Sequence, residues 1–367
     1  MSHLINFVVG NNGTGKTAFL RSLAKKECQR SKVLVVCNTV YDKFGTVSGV
    51  SKISQASLAS RPTPLLKSII LKLRGEQGGR LNVIGKILEY IGYEPMIILR
   101  CRHNHKVDVN RVLDEISRDE TLPDKDTVLY MAKQMLEYKF TEIPLDLRGD
   151  SYQNIKALNL LSAEKALRRA KLIKGVDIAL VSPRVSTGLV PIDQASSGEL
   201  TLLTTLSFVM CHIEENTTLL IDEPENSLHP RWQREYVGRL LDMLDYFSPA
   251  IYIATHAPIL VSGAQTDAGS SVRIIDAATE NTVDLMSSSA PVEEILWDVF
   301  GTVTPANQFL SEQLVQEIAS LSQGVTLSTV ISRIGELEAG AYDPQQEKVF
   351  EAARQLALEV AGVKGRG

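Results

Sequence analysis

Gly10-Asn11-Asn12-Gly13-Thr14-Gly15-Lys16-Thr17 is a complete G-x-x-x-x-G-K-T string, and it decides how the 367-residue chain is to be read. It follows an apolar run, Leu4 to Val9, and precedes a stretch of helical spacing, Thr17 to Lys26. That is the strand–loop–helix setting a phosphate-cradling loop requires. Backbone N–H groups in such a loop converge on a β-phosphate at a helix N-terminus, and small residues let the backbone approach closely. Lys16 is expected to reach the β/γ oxygens, and Thr17 to offer its hydroxyl to Mg²⁺. Far downstream, Leu219-Leu220-Ile221-Asp222-Glu223-Pro224 is an apolar strand ending in two acids. Asp222 is expected to hold the Mg²⁺ shell and Glu223 to orient and deprotonate the attacking water. Together the two strings point to hydrolysis of a nucleoside triphosphate.

Outward from these strings, strand-like apolar runs lie at Leu4–Val9, Val33–Asn38, Ile178–Val181, Thr218–Asp222, Ile251–Thr255 and Val272–Asp276. Several are continuous rather than alternating, as in strands covered on both faces. Helical patterns between them argue for an α/β layered core. Thr218–Asp222, a helix over 230–246 opened by Pro230, and Ile251–Thr255 form one β-α-β unit. From about Gly45 to Pro191 the pattern changes. Leu65–Leu73, Asn82–Tyr90, Asn110–Ser117, Thr127–Lys139 and Ser151–Lys174 carry helical spacing, with a hairpin near Glu94–Val107. The expected organisation is therefore a nucleotide core in two halves, 1–45 and 185–300, an inserted mainly helical lobe over 46–184, and a C-terminal helical segment over 301–367. No heptad pattern runs long enough for coiled-coil arms. The last helix has a clear start, with Asp343 as cap, Pro344 at the first position and Gln346 completing a capping box.

Composition excludes several classes. Hydrophobic residues make up 44% and charged residues 22%, the balance of a globular protein, and the net charge of −4 gives no global basic field for nucleic acid. The four cysteines have no paired spacing, which fits a reducing cytoplasm. The start lacks the features of a signal peptide, and no apolar run approaches a membrane span. A cytoplasmic protein without a membrane partner is expected.

Two further strings stand at places where ligands collect. Ala195-Ser196-Ser197-Gly198-Glu199 precedes an apolar helix, Leu200 to Met210. By itself it is a serine-rich helix start with Ser196 or Ser197 as N-cap, and its N–H groups and hydroxyl suit a phosphate as well. Thr255-His256-Ala257-Pro258 ends a strand at a carboxyl edge, where a histidine can hydrogen-bond a γ-phosphate and sense its loss.

In this order the four strings resemble those of ATP-binding-cassette ATPases, and of the SMC/RecF/OLD-like branch more than of transporter subunits. Ser196 takes the place of the signature serine, Ser197 and Gly198 those of its two glycines, and Glu199 the last signature position. Glu223 matches the catalytic glutamate and His256 the switch histidine. Glu225-Asn226-Ser227-Leu228-His229-Pro230 is similar to the D-loop of that branch, and the stretch from Val36 to Phe44 resembles one in defence-type members such as the Septu ATPase. The resemblance implies an ABC-type P-loop head with a mixed or parallel sheet. It also implies ATP and Mg²⁺ as cofactors, and a homodimer or higher homo-oligomer in which Ser196, Ser197, Gly198 and Glu199 of one copy close over the ATP of the other. The output would belong to a separate effector, a nuclease or toxin, as in bacterial anti-phage systems. A RecF-like ATPase that clamps DNA is the alternative, and a non-hydrolysing nucleotide-gated scaffold a third. The chain departs from the family pattern in three ways. Only nine residues precede Gly10, so the leading hairpin with its adenine-stacking aromatic is not expected. No glutamine stands obviously where the family's metal-contacting glutamine should be, so Asn38 or Asp42 is the expected stand-in. Ser197 replaces a glycine.

Two weaker patterns remain. Cys101, His103 and His105 alternate along one strand face, without a fourth zinc ligand in view. Lys165, Arg168, Arg169, Lys171 and Lys174 form a basic stretch that suits either a solvated helix face or a phosphate track.

Overall fold

A computed structural model describes residues 4–10, 13–39, 44–55, 62–75, 81–104, 109–120, 122, 124–138, 140–149, 152–244, 247–268, 272–283, 308–321, 324–339 and 344–364. Asn11, Asn12, Asp42, His105 and Asp343 fall outside them, and with them the expectations placed on those residues.

The phosphate-loop strand β1 (Ile5–Val9) is buried along its whole length in a parallel sheet, as its unbroken apolar run requires. Its sheet mates are β2 (Lys32–Cys37), β3 (Val50–Ser54), β8 (Thr217–Asp222), β9 (Ala250–Ala254) and β10 (Val272–Asp276), with β11 (Thr282–Val283) antiparallel at one edge. The order across the sheet is β11-β10-β1-β9-β8-β2-β3. Because the six long strands run the same way, their carboxyl ends share one edge. The register brings Cys37, Asp222 and Ala254 level on neighbouring strands, and Val8 level with Ala254. Helices α1 (Lys16–Glu27), α8 (Pro230–Met243) and α9 (Pro258–Ala268) make crossovers of this sheet.

The stretch between β3 and β8 builds a second, antiparallel sheet. Its strands are β4 (Met96–His103), β5 (Glu142–Asp146), β6 (Ile173–Val181) and β7 (Leu189–Pro191), in the order β5-β4-β6-β7. Around it lie α2 (Pro62–Gly75), α3 (Leu81–Tyr90), α4 (Val109–Arg118), α5 (Lys125–Tyr138) and α6 (Tyr152–Arg169). Helix α7 (Ser197–His212) is apolar nearly all round and joins the two parts, contacting α2 and α3 on one side and β2 and β3 on the other. One continuous core runs from Ile5 and Phe7 of the parallel sheet through Leu202 and Leu206 to Leu99 and Leu180 of the antiparallel one. The other face of the parallel sheet has its own core, with Val8, Leu20, Val35, Phe44 and Leu220. Three C-terminal helices, α10 (Gln308–Ser320), α11 (Leu327–Ala339) and α12 (Pro344–Lys364), pack around Leu314, Val330, Ile334 and Phe350 as a separate cluster. Among the described residues no helix is long and apolar enough to cross a membrane.

The α/β core, the helix-rich insert and the C-terminal helices follow the sequence pattern, but four details do not. The first half of the head does not stop at 45, because β3 pairs in parallel with β2. β3 is a polar edge strand, Val-Ser-Lys-Ile-Ser, with only Ile53 fully buried, so it lacks the apolar run that marks its neighbours. Ile178–Val181 is a real strand but belongs to the antiparallel sheet. Of the hairpin expected near Glu94–Val107, the described residues form a single strand, β4, paired with β5 and β6 far along the chain, and the rest lies outside them. The helix expected over Ser151–Lys174 stops at Arg169. There Lys171 takes a left-handed φ of 57°, Leu172 N–H bonds the Leu167 carbonyl at 3.0 Å and Lys171 N–H the Arg168 carbonyl at 3.0 Å. This is a Schellman stop with lysine where glycine is usual, which hides it from a sequence reading.

Candidate functional site

The parallel register delivers the candidate residues to one edge. Gly10 follows β1, Asn38 follows β2, Asp222 ends β8 and Thr255-His256 follows β9. Backbone bonds extend the sheet by one more rung: Asn38 N–H to the Asp222 carbonyl at 3.0 Å, Glu223 N–H to that of Ala254 at 2.9 Å, and Thr255 N–H to that of Val8 at 3.1 Å. Gly15 caps α1 at φ 98°, a left-handed conformation open to glycine, and so turns the chain directly into Lys16 and Thr17.

At the centre, the Thr17 hydroxyl lies 3.0 Å from Asp222 Oδ2 and 3.3 Å from Oδ1, while Lys16 Nζ donates to the Gly10 carbonyl at 2.8 Å. Asp222 is completely buried. Burial pushes its carboxyl up to about 6; the Glu223 and Glu225 charges add to this, and the Thr17 hydrogen bond and Lys16 oppose it. Burial likewise pulls the Lys16 ammonium below the usual lysine range, against the three carboxylates nearby. A desolvated carboxylate bonded to a threonine hydroxyl is a hard-oxygen pair that suits Mg²⁺. Asn38 adds to the fit: it is fully buried, and neither atom of its side-chain amide has a hydrogen-bond partner among the described residues. Such an orphan calls for a ligand or water.

Glu223 sits at φ 51°, an unusual conformation for a non-glycine residue and one that clusters at functional sites. Asn226 Nδ2 holds its Oε2 at 2.9 Å and also donates to the Asn38 carbonyl at 3.2 Å. The His256 ring is half exposed, with Nδ1 3.9 Å from Glu223 Oε1 and 3.1 Å from Glu225 Oε1. Lys16, Thr17, Asp222, Glu223 and His256 thus converge at one edge, beside Gly10 and the Gly13-Thr14-Gly15 turn.

Ser196 is the N-cap of α7. Its Oγ accepts from Glu199 N–H at 3.3 Å, and Glu199 Oε2 accepts from Ser196 N–H at 2.9 Å, a complete capping box. Glu199 departs from its expected place among the nucleotide contacts. Its carboxylate is buried and taken up within the chain, by the Tyr93 hydroxyl at 3.0 Å and Arg184 at 3.1 Å. Arg184 also covers the Tyr93 ring at 4.7 Å, and the Tyr93 phenol is pushed up to about 12, chiefly by burial and then by Glu199. Ser197 is exposed at the helix start. Gly198 allows the D-loop-like turn to pass close by, since a β-carbon there would sit 2.6 Å from the Ser227 carbonyl and 3.1 Å from the Trp232 ring.

Several contributors have no assigned role in the sequence reading. Glu225 and Asn226 stand inside the Glu225–Pro230 string, which marks the turn but not what each side chain holds. Gln55 directly follows the last β3 residue, Ser54, as Asn38 follows Cys37, the partner of Ser54 on β2. Its Nε2 bonds Ser227 Oγ at 3.3 Å and its Oε1 is sealed without a partner. It escapes notice because β3 itself does. Cys101 and His103 lie on β4, away from this edge. His103 Nε2 bonds the Phe140 carbonyl at 2.7 Å, and burial pushes the Cys101 thiol up to about 12. Lys165, Arg168 and Arg169 line a cleft of about 740 Å³ between α2 and α6, together with Lys67, which is ion-paired to Glu164 at 2.7 Å.

Comparison with known proteins agrees with this geometry. Residues 148–262 match the family described as "AAA domain, putative AbiEii toxin, Type IV TA system". The matched segment is roughly a third of the chain and contains Ser196–Glu199, Asp222–Glu223, Glu225–Pro230 and His256, while the loop at 10–17 lies outside it. The chain is also similar to Protein ea59 of Escherichia phage lambda, 28% identical over 116 residues. That alignment covers 30% of this chain and 22% of the phage protein, so it spans about a fifth of the relative's length. Fold, loop and matched segment together support a P-loop ATPase of the ABC/SMC-like type.

Proposed function

We propose that the chain is an ATP-hydrolysing switch subunit, closing head to tail with a second copy around ATP and controlling a separate effector in anti-phage defence. The observation that carries the hydrolysis reading is the convergence of Lys16, Thr17, Asp222, Glu223 and His256 on one sheet edge. Thr17 and Asp222 would hold Mg²⁺, with Asn38 as a further candidate, and the ion would supply charge neutralisation to the phosphates. Lys16 is desolvated and so binds phosphate more strongly than a hydrated lysine would. Glu223, steered by Asn226, takes the proton of the attacking water, and His256 donates to the γ-phosphate oxygens. The exposed Ser197 and the N–H groups at the start of α7 supply the donors for a second copy's γ-phosphate.

Effector control rests on two lines of support. The family description names a toxin of a toxin–antitoxin system, and the phage relative places a similar segment in the biology of phages. Glu223→Gln is the test of the engine. Phosphate release should fall by roughly a hundredfold or more, with ATP still bound and the dimer accumulating in sedimentation. Unchanged phosphate release would remove Glu223 from its role. The second reading is a RecF-like clamp on DNA, favoured by the exposed Lys165, Arg168 and Arg169 along the α2–α6 cleft.

A further inference from the structure

Glu225 is a carboxylate almost wholly withdrawn from water, 5% exposed, three residues beyond Asp222. One of its oxygens carries all of its contacts. Oε1 accepts from Thr255 Oγ1 at 2.7 Å and from His256 N–H at 2.8 Å, and it lies within ion-pairing distance, 3.1 Å, of the His256 ring nitrogen Nδ1. Oε2 is buried and has no partner among the described residues. Burying a carboxylate is costly, and a neutral amide of the same shape would serve as well for the hydroxyl and the backbone N–H. Of these three contacts, the one that uses the negative charge is the one to the ring, while at longer range the charge also acts on Lys16 and Asp222.

We propose that Glu225 is the positioning residue of His256: it fixes the ring through Nδ1–H and leaves Nε2 as the nitrogen that meets the γ-phosphate. A carboxylate accepts and cannot donate, so the partner nitrogen must carry the proton. In the neutral ring this makes Nε2 an acceptor. When the ring gains a proton, Nε2–H becomes a charge-assisted donor and Glu225 balances the imidazolium. The same turn holds Glu223 through Asn226 and lies against Gly198 through Ser227. A movement of residues 225–228 therefore changes the aim of His256 and Glu223 together. This role rests on the reading of the site as an ATPase, and it adds a residue that acts through another and touches no substrate itself.

A double-mutant cycle and a spectrum test it on the full chain with Mg·ATP. Glu225→Gln keeps the shape and one acceptor oxygen, turns the other oxygen into an NH₂ donor and removes the charge. It should lower kcat about tenfold or more with KM changed by less than about threefold, and in a His256→Ala background it should cost less than about twofold further. Equal losses in both backgrounds, or a loss confined to KM, would overturn the proposal. Should Glu225→Gln not fold, ¹⁵N-histidine NMR of the wild-type protein decides, with His256 identified by its loss in His256→Gln. The Nδ1–H tautomer is expected, and the Nε2–H tautomer would overturn the assignment. If the wild-type chain neither binds nor hydrolyses ATP, the ATPase reading fails while the tautomer result still stands on its own.

Discussion

At the scale of single residues, the site keeps charges where solvent would not leave them. Asp222 carries its carboxyl at about 6 because of burial, so between pH 4 and 6 the folded state binds more protons there than the unfolded state does. Stability from this group is present at low pH and is lost as pH rises through about 6. Above that, the ionised side chain costs on the order of 3 kcal/mol in the nucleotide-free protein. Asp222→Asn should therefore raise Tm at pH 7.5 while abolishing hydrolysis, and the gain in Tm should vanish near pH 4. Thermal melts of both proteins across this range measure it, and a variant no more stable at pH 7.5 would contradict the burial argument. The site's motif residues are legible in sequence because each belongs to a short string with a mechanical meaning. Glu225, Asn226 and Gln55 are not, because what they hold depends on strands that meet only in the fold.

At the scale of elements, local signals succeed where the chain advertises them. The parallel strands read as apolar runs because both faces are covered, and the start of α7 reads from its paired serines, while the choice of Ser196 as cap and its box with Glu199 emerge only in the fold. They fail where an element is polar, as in β3, or where its partner is distant, as in β4. The end of α6 is a third kind of failure, since Lys171 performs a glycine's task. Lys171→Gly should stabilise the protein by ~0.5–1 kcal/mol, relief of left-handed strain outweighing the added freedom of the unfolded chain. Urea denaturation measures this. A destabilised variant would mean that the lysine side chain contributes more than its backbone costs.

At the scale of the whole molecule, charge is unevenly shared. The chain carries a net −4, yet Lys165, Arg168 and Arg169 stand together on one cleft. If the chain clamps DNA, binding should weaken steeply with salt, and Arg168→Glu with Arg169→Glu should lower affinity and flatten the salt slope by about two, with ATP binding unchanged. Fluorescence anisotropy at several salt concentrations decides, and salt-insensitive or absent DNA binding leaves the effector reading alone. Legibility also declines at this scale: the insert's helices are visible in sequence, but its sharing of one core with the head is not, because that depends on α7 being covered from both sides.

The place of β1 in the sheet has a consequence for how the protein is made. Asn6 donates to the Ile251 carbonyl across a sequence separation of 245 residues, and the other neighbour of β1 begins at Val272. During synthesis β1 thus waits for β9 and β10 before either of its edges is paired. At typical elongation rates that wait is on the order of tens of seconds. During it, Ile5, Phe7 and Val9 form an apolar edge open to aggregation, and the second sheet can fold first. Assembly of the nucleotide pocket therefore lags the synthesis of its own phosphate loop and is completed only after Val272–Asp276 has emerged.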